Sequence, residues 1–162
     1  MEQEEILTID YSNMSQFLKD EPPYIWVDYA EVVPGKTGKG YKLFTHNEWF
    51  FKPHYPNNPL VPGIFLLESL MQTAALALYA LSDPFVDFVY SNKVFSAEFP
   101  NAVRPGDKLE TEIKIEKNQR GIVRSLGTGF ICRNGKKLTA CKADFQLLIP
   151  GLLKSFSPIK DK

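Results

Sequence analysis

One short segment of the sequence collects residues that can move protons: Pro53 to Gln72, PHYPNNPLVPGIFLLESLMQ. His54 lies in its proline-rich first half, and histidine side chains can take up or release a proton near neutral pH. Glu68 and Gln72 follow in an apolar stretch, four residues apart, so in a helix they share one face. A carboxyl group in apolar surroundings is expected to have a raised pKa, which suits it to donate a proton.

Gly63 adds a third chemical group to this segment. It follows Pro62 where a helix is predicted to begin, and a backbone N–H at a helix N-terminus can stabilise an oxyanion. A base, an acid and an oxyanion donor are the groups that eliminate water from a β-hydroxyacyl thioester. With two histidines and no glycine-rich phosphate loop in the chain, we expect neither a metal nor a cofactor.

Each of these residues also has a purely structural interpretation. Considered alone, His54 is more often an ordinary loop histidine than a catalyst. Glu68 is explained equally well as a buried carboxylate that Gln72 or a backbone amide satisfies, which would also shift its pKa. Gly63 serves as a helix-start residue in either case. Their occurrence together in one segment favours catalysis.

The overall composition narrows the classes of partner. The chain has 162 residues, 44% of them hydrophobic, which is enough for one domain with a proper core. Lys plus Arg and Asp plus Glu both number 19, so no net charge favours nucleic acid or an anionic membrane as the main partner. The acidic start, MEQEEILTIDY, does not have the pattern of a signal peptide and predicts a cytoplasmic protein. Cys132 and Cys141 flank a predicted turn and match no zinc or redox motif, so we expect reduced thiols on neighbouring strands.

A single long helix is predicted at about residues 63–81. Its apolar run is long enough to raise the question of a membrane span, but Glu68 and Gln72 would be costly in lipid. Pro62-Gly63 is typical of a helix start, and Ser82-Asp83-Pro84 of a helix end. The pattern therefore predicts a helix buried in a protein core.

Strand patterns dominate the rest of the chain. Four antiparallel strands are predicted after the helix and two extended segments before it: Val86–Phe99, Lys108–Lys117, Ile122–Arg133, Lys136–Ile149, Tyr24–Val33 and Lys36–Phe44. A short helix is expected near Met14–Leu18. Polar and apolar residues alternate in the last strand, as in a sheet covered on one side. The prediction is an α+β fold in which one antiparallel sheet wraps around the helix, as a single domain over residues 1–150 with a tail over 151–162.

Such a fold leaves two surfaces that need a partner. A helix that is apolar on all sides needs more cover than one sheet of this size provides, and the sheet has an open edge. A homodimer would cover both the helix and the edge. Pairing the two sheets edge to edge would also bring the start of one central helix close to a loop of the other chain.

The segment HYPNNPLVPGIFLLESLMQTAA closely resembles the signature of the FabZ/FabA-type β-hydroxyacyl-acyl-carrier-protein dehydratases, H-F-P-G-x-P-x-x-P-G followed by a helix with an acidic residue and a Gln. Pro23 to Asp28 is similar to the early Y-P-F-L-L-V-D strand of that family, and Phe99 to Asp107 to its F-R-R-P-V-V-P-G-D segment. The residues that fall in register with the signature are His54, Pro56, Pro59, Pro62, Gly63, Glu68 and Gln72.

The resemblance implies a hotdog fold and dehydration of (3R)-3-hydroxyacyl thioesters carried by acyl carrier protein or coenzyme A. It makes His54 the general base and Glu68 of the partner subunit the acid, or the group that holds the water. Gly63, with Pro62 beside it, and Gln72 would form the substrate-binding part: the Gly63 N–H contacts the thioester oxygen, and Gln72 orients Glu68. The acyl chain would lie in a tunnel at the dimer interface, and a trimer of dimers is compatible with the family.

Two departures from the family leave alternatives open. Asn57 stands where the family usually has Gly, a position that Asn can occupy even if a positive φ is needed. Acidic or neutral residues replace basic ones near Asp20 and Asn101, so the docking of an acidic carrier protein has fewer charges to use than in the family. Arg104, Lys108 and the pair Lys136-Lys137 remain as docking charges. An acyl thioesterase and a non-catalytic acyl-binding subunit are the competing interpretations.

Overall fold

A computed structural model of the protein describes residues 5–153. It contains two α-helices, seven strands and two short 3-10 helices, at Trp49–Phe51 and Pro150–Leu152, within that range. The helices and strands are α1 (Met14–Phe17), α2 (Gly63–Tyr79), β1 (Leu7–Ile9), β2 (Tyr29–Val33), β3 (Thr37–Leu43), β4 (Tyr90–Glu98), β5 (Lys108–Gln119), β6 (Ile122–Arg133) and β7 (Lys136–Leu148). The predicted tail from residue 154 onward lies outside the described residues, and the predicted division at residue 150 stays a prediction.

The helix α2 begins at Gly63, as predicted, and ends at Tyr79, two residues before the predicted end. Every residue from Ser69 to Tyr79 is buried, which is the pattern of a helix enclosed by its own protein. In the described part of the chain, none of the helices is both long and apolar enough to cross a membrane.

All seven strands form one antiparallel sheet in the order β1-β2-β3-β5-β6-β7-β4, which confirms the predicted α+β architecture. Two-residue turns join β5 to β6 and β6 to β7. Both residues of each turn have positive φ, with 52° and 88° at Arg120-Gly121 and 50° and 71° at Asn134-Gly135. This conformation matches the twist of the flanking strands and keeps the three longest strands in register.

The sheet holds α2 on its concave face at very short range. A Cβ atom on Gly38 would lie 3.2 Å from Thr73, and one on Gly127 would lie 3.1 Å from Leu70. The Thr73 hydroxyl also forms a buried 2.9 Å hydrogen bond with the hydroxyl of Thr111 on β5. Glycines on the strands, which let the helix approach closely, and a polar contact between helix and sheet therefore fix the position of the helix.

The inward face of β7 follows the predicted alternation, since Cys141, Ala143, Phe145 and Leu147 are all buried. Both thiols are free, with Cys132 exposed on β6 and Cys141 buried on β7, as expected for neighbouring strands. Burial raises the pKa of the Cys141 thiol to about 12. Cys141 is therefore a core residue and not a reactive thiol.

Apart from strand ends that differ by one or two residues, the strand predictions differ from the structure in three places. The strand β4 begins at Tyr90 instead of Val86, because its partner β7 ends at Leu148, directly opposite Tyr90. Residues 24–28 lie outside a strand, with bends at Tyr24 and Asp28, and the Gln72 side chain takes part of their backbone hydrogen-bonding capacity. The short strand β1, which pairs with β2, was not predicted.

One edge of the sheet is open. The strand β4 pairs with β7 on one side, and every residue from 91 to 98 is exposed in the single chain. Its apolar members are included: Val94 is 43% exposed and Phe95 42%. A nine-residue edge strand with exposed apolar side chains is a surface that proteins normally cover.

Candidate functional site

Glu68 lies on α2, and its side chain is contacted by Gln72, one turn later on the same face. The Gln72 amide group donates a 3.5 Å hydrogen bond to the Glu68 carboxyl and a 2.9 Å bond to the Tyr24 carbonyl. Its oxygen accepts a 2.7 Å bond from the backbone N–H of Trp26. The buried Gln72 side chain thus links the helix to the segment 24–28 and orients Glu68 at the same time.

A cavity of about 290 Å³ lies beside the Glu68 carboxyl. It runs along the helix face that carries Glu68, Gln72, Ala75 and Tyr79, which are spaced to form one stripe. At 1.5 Å rise per residue, this stripe extends over roughly 16 Å. The opposite wall includes Phe88, Val89, Tyr90, Ser91 and Leu147. The cavity therefore offers a carboxyl group next to an elongated, partly apolar space.

The surroundings of this cavity raise the pKa of the Glu68 carboxyl group. Burial raises the pKa of Glu68 above its usual value of 4.5, the nearby charge of Asp20 raises it further, and the hydrogen bond from Gln72 lowers it. Asp20 lines the same cavity, together with Lys19 and Tyr24. A carboxyl group that holds its proton more tightly than usual is suited to act as a general acid.

His54 lies in the loop before α2 and is half-buried. Its backbone N–H bonds to the Phe50 carbonyl at 3.0 Å, and its carbonyl accepts a 2.9 Å bond from Leu60. The ring nitrogen Nδ1 lies 3.0 Å from the Leu60 carbonyl oxygen. Because a carbonyl can only accept, this contact requires the proton on Nδ1 and leaves the lone pair of a neutral ring on Nε2. The loop thus fixes the His54 ring through Nδ1 and leaves Nε2 outside this contact.

Pro62 and Gly63 join this loop to the helix. The N–H of Gly63 belongs to the first helical turn, whose N–H groups have no acceptor within the helix. A Cβ atom at Gly63 would lie 3.1 Å from the ring of Phe99, so the small residue also permits close packing. The position thus has a structural role, and its N–H is left without an acceptor inside the helix.

The single chain brings some of the predicted residues together and separates others. Glu68 and Gln72 share the cavity, whereas His54 is not among the residues that line it. The cavity includes Tyr90 and Ser91 at the start of β4, while Gly63 packs against Phe99, just beyond the end of β4. The cavity thus extends from Glu68, five residues after Gly63 in the helix, to the start of β4 beside Tyr79.

Sequence reasoning missed several residues of this site. The sequence marks Asp20 only as a position without the positive charge that the family has nearby, although Asp20 lines the cavity with Glu68. The backbone partners of Gln72, at Tyr24 and Trp26, could not be identified because extended segments carry no side-chain signal for such contacts. Asn57 does not have a positive φ; within residues 5–153, the non-glycine residues that do are Arg120 and Asn134. No group of three or more His, Cys, Asp or Glu side chains in this range is arranged to hold a metal.

Comparison with known proteins places these observations in a family. The model of the FabA-like domain matches residues 30–142, which is more than half of the chain and includes every predicted site residue. The chain belongs to the FabA-like family. Within it, the FabZ 3-hydroxyacyl-[acyl-carrier-protein] dehydratase of Ligilactobacillus salivarius is 32% identical over 142 residues, 87% of this chain and 99% of that protein. The enzyme of the same name from Chloroflexus aggregans is 40% identical over 101 residues, 62% of this chain and 70% of that one.

Solved structures agree with the fold of this FabA-like chain. The dehydratase heterocomplex ApeI:P from Xenorhabdus doucetiae matches with a TM-score of 0.52 and 17% identity, over 70% of this chain and 88% of that one. A hypothetical thioesterase with coenzyme A from Streptococcus pneumoniae matches with a TM-score of 0.53 and 14% identity, over 72% and 80% of the two chains. At these identities the likeness shows the fold, and the predicted hotdog fold is confirmed.

Proposed function

We propose that the protein dehydrates (3R)-3-hydroxyacyl thioesters to trans-2-enoyl thioesters, with His54 of one subunit and Glu68 of its partner as the catalytic pair. The similarity to FabZ dehydratases along most of the chain supports the reaction. The observation that carries the assignment is the oriented Glu68 carboxyl beside an elongated cavity, because the leaving hydroxyl needs a proton donor next to its acyl chain.

The reaction removes one proton and one hydroxyl group from adjacent carbons. Nε2 of His54 takes the α-proton while the thioester oxygen accepts a hydrogen bond from the N–H of Gly63. Protonated Glu68 gives its proton to the hydroxyl, the C–O bond breaks, and water leaves as the double bond forms. The proton on His54 then returns to the Glu68 carboxylate directly or through water, so neither residue is changed at the end of the cycle.

A homodimer supplies the geometry that the single chain lacks. If the exposed edges of two β4 strands pair antiparallel, the start of one strand meets the end of the other. The Tyr79 end of the cavity adjoins the start of β4, and the junction at Gly63 adjoins its end. We propose that pairing covers Val94 and Phe95 and brings the His54 loop of one chain towards the cavity of the other.

The substrate carrier is acyl carrier protein or coenzyme A. Two of the lysines proposed for docking are paired with acidic residues: Lys108 with Glu110 at 2.8 Å and Lys137 with Glu112 at 3.2 Å. Such pairs weaken the attraction for an acidic carrier protein. Coenzyme A thioesters are therefore tested as substrates beside those of acyl carrier protein. A cytoplasmic location fits the exposed free thiol of Cys132, since reducing compartments keep such thiols unpaired.

The reaction is tested with crotonyl and 3-hydroxybutyryl thioesters of coenzyme A and of acyl carrier protein, following the enoyl absorbance. We expect interconversion, with a loss of at least about 100-fold for His54→Ala and for Glu68→Gln. Release of free thiol without interconversion would instead identify a thioesterase. Tight binding of acyl thioesters without any turnover would identify an acyl-binding subunit.

The shared site is tested by mixing the two inactive variants after unfolding and refolding them together. A mixed dimer of His54→Ala and Glu68→Gln contains one site in which both residues are intact. Random pairing therefore restores about a quarter of the wild-type activity. If both residues acted within one chain, mixing would restore nothing. Sedimentation equilibrium on the same samples reports whether the 18.4 kDa chain is a dimer.

A further inference from the structure

The loop that carries His54 has a polar contact to a distant part of the chain. Arg104, in the connection between β4 and β5, directs its guanidinium towards the loop. Nη1 donates a 2.7 Å hydrogen bond to the side-chain oxygen of Asn58 and lies 3.4 Å from the Pro59 carbonyl oxygen. Directly after these residues, the N–H of Val61 donates a 2.9 Å bond to the carbonyl of Val103. The connection and the loop are thus joined at two neighbouring points.

Arg104 is itself fixed from behind. Its backbone N–H donates a 2.8 Å hydrogen bond to the carboxylate of Asp107. The same carboxylate accepts a bond from the guanidinium of Arg133 at the end of β6, and Arg133 also bonds the Ala102 carbonyl at 2.7 Å. The Asp107 side chain is only 14% exposed. A sheet strand therefore holds the segment from which Arg104 reaches the loop.

Besides the contact with Arg104, the outer part of the loop is held by its own residues, and the Tyr55 ring stacks on the His54 ring at 4.2 Å. Residues 55–58 are all exposed, and their own backbone contacts are the pair between Tyr55 and Asn58, at 3.1 and 3.3 Å. His54 lies at one end of this turn, and Leu60, whose carbonyl faces the His54 ring, lies just past the other. A displacement of the turn at Asn58 would therefore change the orientation of the His54 ring.

We propose that Arg104 and Asn58 are positioning residues that hold the His54 loop in its reactive conformation. The inference rests on the proposed catalytic role of His54. The contact is exposed, so its loss changes the stability of the fold little. Loss of the contact lowers the catalytic rate instead, because a base that is displaced from its reacting geometry loses much of its effectiveness.

The test uses Asn58→Ala and Arg104→Gln, with Asn57→Ala as the matched control. Asn57 is the neighbouring exposed asparagine, and its side chain makes no hydrogen bond within residues 5–153. We expect each of the two variants to lower kcat about tenfold with KM changed less than twofold, and the control to behave as wild type. The double variant should be no slower than either single one, because both remove the same contact. Asn58→Asp keeps an acceptor for Arg104 and should restore most of kcat.

Three results would contradict the positioning role of Arg104 and Asn58. Equal activity of Asn58→Ala and Asn57→Ala, in a protein that His54→Ala inactivates, would overturn the positioning role while leaving the proposed function intact. A raised KM for carrier-bound substrate with unchanged kcat in Arg104→Gln alone would make Arg104 a docking residue and also overturn it. Full activity of His54→Ala would instead refute the proposed function, and the proposed positioning role with it.

Discussion

The two halves of the proposed catalytic pair are held in different ways. Glu68 lies on a buried helix, and its partner Gln72 forms three hydrogen bonds, two of them to the backbone of another segment. His54 lies on a loop whose outer residues are exposed and whose contact to the rest of the fold includes one surface arginine. Glu68 is thus fixed through a residue of the core, Gln72, while His54 is fixed by local contacts and a surface hydrogen bond.

This difference matches the demands on the two groups. The half-buried Glu68 carboxyl has a raised pKa because partial burial disfavours its charged form, and its place on the central helix provides that burial. The base must reach a substrate that enters and leaves, and loops at an accessible edge permit this. Changes on the helix side should therefore alter stability and protonation, whereas changes on the loop side should alter rate alone.

The largest effect is expected from Gln72→Ala. The change leaves the buried N–H of Trp26 and the carbonyl of Tyr24 without their partner. The lost partner of a buried polar group costs about 1–3 kcal/mol, and the Tyr24 carbonyl, which is only part-buried, adds less, so we expect the free energy of unfolding to fall by about 2–4 kcal/mol, measured by urea denaturation. Activity should also fall, because Glu68 loses its orienting contact.

Gln16→Ala is the control for this prediction. Gln16 is an exposed residue of the short helix α1, and its replacement should change the free energy of unfolding by less than about 0.5 kcal/mol. Equal stability of the two variants would mean that the 24–28 segment does not depend on Gln72. The helix side would then be no better anchored than the loop.

Much of this contrast was predictable from the sequence. The long apolar helix with Glu68 and Gln72 on one face, and the alternating strands after it, depend on periodicities that burial imposes on any sequence. The turn at Asn134-Gly135 was predictable because few residue types adopt two successive positive φ angles.

Contacts between distant segments were not predictable in this way. Neither the bond between Arg104 and Asn58 nor the place of Asp20 in the Glu68 cavity has a local signal, since each depends on how residues far apart in the chain meet. The edge position of β4 was missed for the same reason, because strand order is a property of the whole sheet. The start of this strand is set by the end of its neighbour.

Glu68→Gln should separate stability from activity. The pKa of Glu68 is raised above its usual 4.5 in the folded chain. Its stabilising contribution to the free energy of unfolding is therefore complete below the pKa of the unfolded chain, and it is lost as the pH rises through the pKa of the folded chain. The amide of the Glu68→Gln variant stays neutral and does not lose this stability at high pH. We expect the variant to be inactive and, at pH 8, more stable than wild type by at most about 2 kcal/mol in urea denaturation. The difference should disappear near pH 4; a constant difference would show that burial does not perturb the carboxyl.

A smaller effect is expected from Asp20→Asn, which removes a negative charge from the cavity wall. Without this charge the pKa of Glu68 should fall, because the repulsion that favours its protonated form is gone. The part of the pH–rate profile where activity falls as Glu68 loses its proton should therefore move to lower pH, with kcat at the plateau within about twofold of wild type. Lys19, Tyr24 and Tyr79 line the same cavity and stay in place.

Glu116→Gln is the matched charge control for Asp20→Asn. Glu116 pairs with Lys114 on the strand β5, away from the cavity. Its replacement removes one negative charge from the protein but should leave the pH–rate profile where it is. An equal displacement in both variants would mean that the net charge of the protein, and not the position of Asp20, sets the proton affinity of Glu68.

The smallest effect is spectroscopic, and it uses the two tryptophans of the chain, one on each side of the comparison. Trp26 is 2% exposed and stacks on Phe65 at 4.0 Å, whereas Trp49, shortly before the His54 loop, is 60% exposed. Trp49→Phe should leave emission that iodide hardly quenches, and Trp26→Phe emission that iodide quenches strongly. Activity of Trp49→Phe should stay within about twofold of wild type. Equal quenching in the two variants would mean that a partner subunit covers Trp49, so that the loop side is buried as deeply as the helix side once the dimer forms.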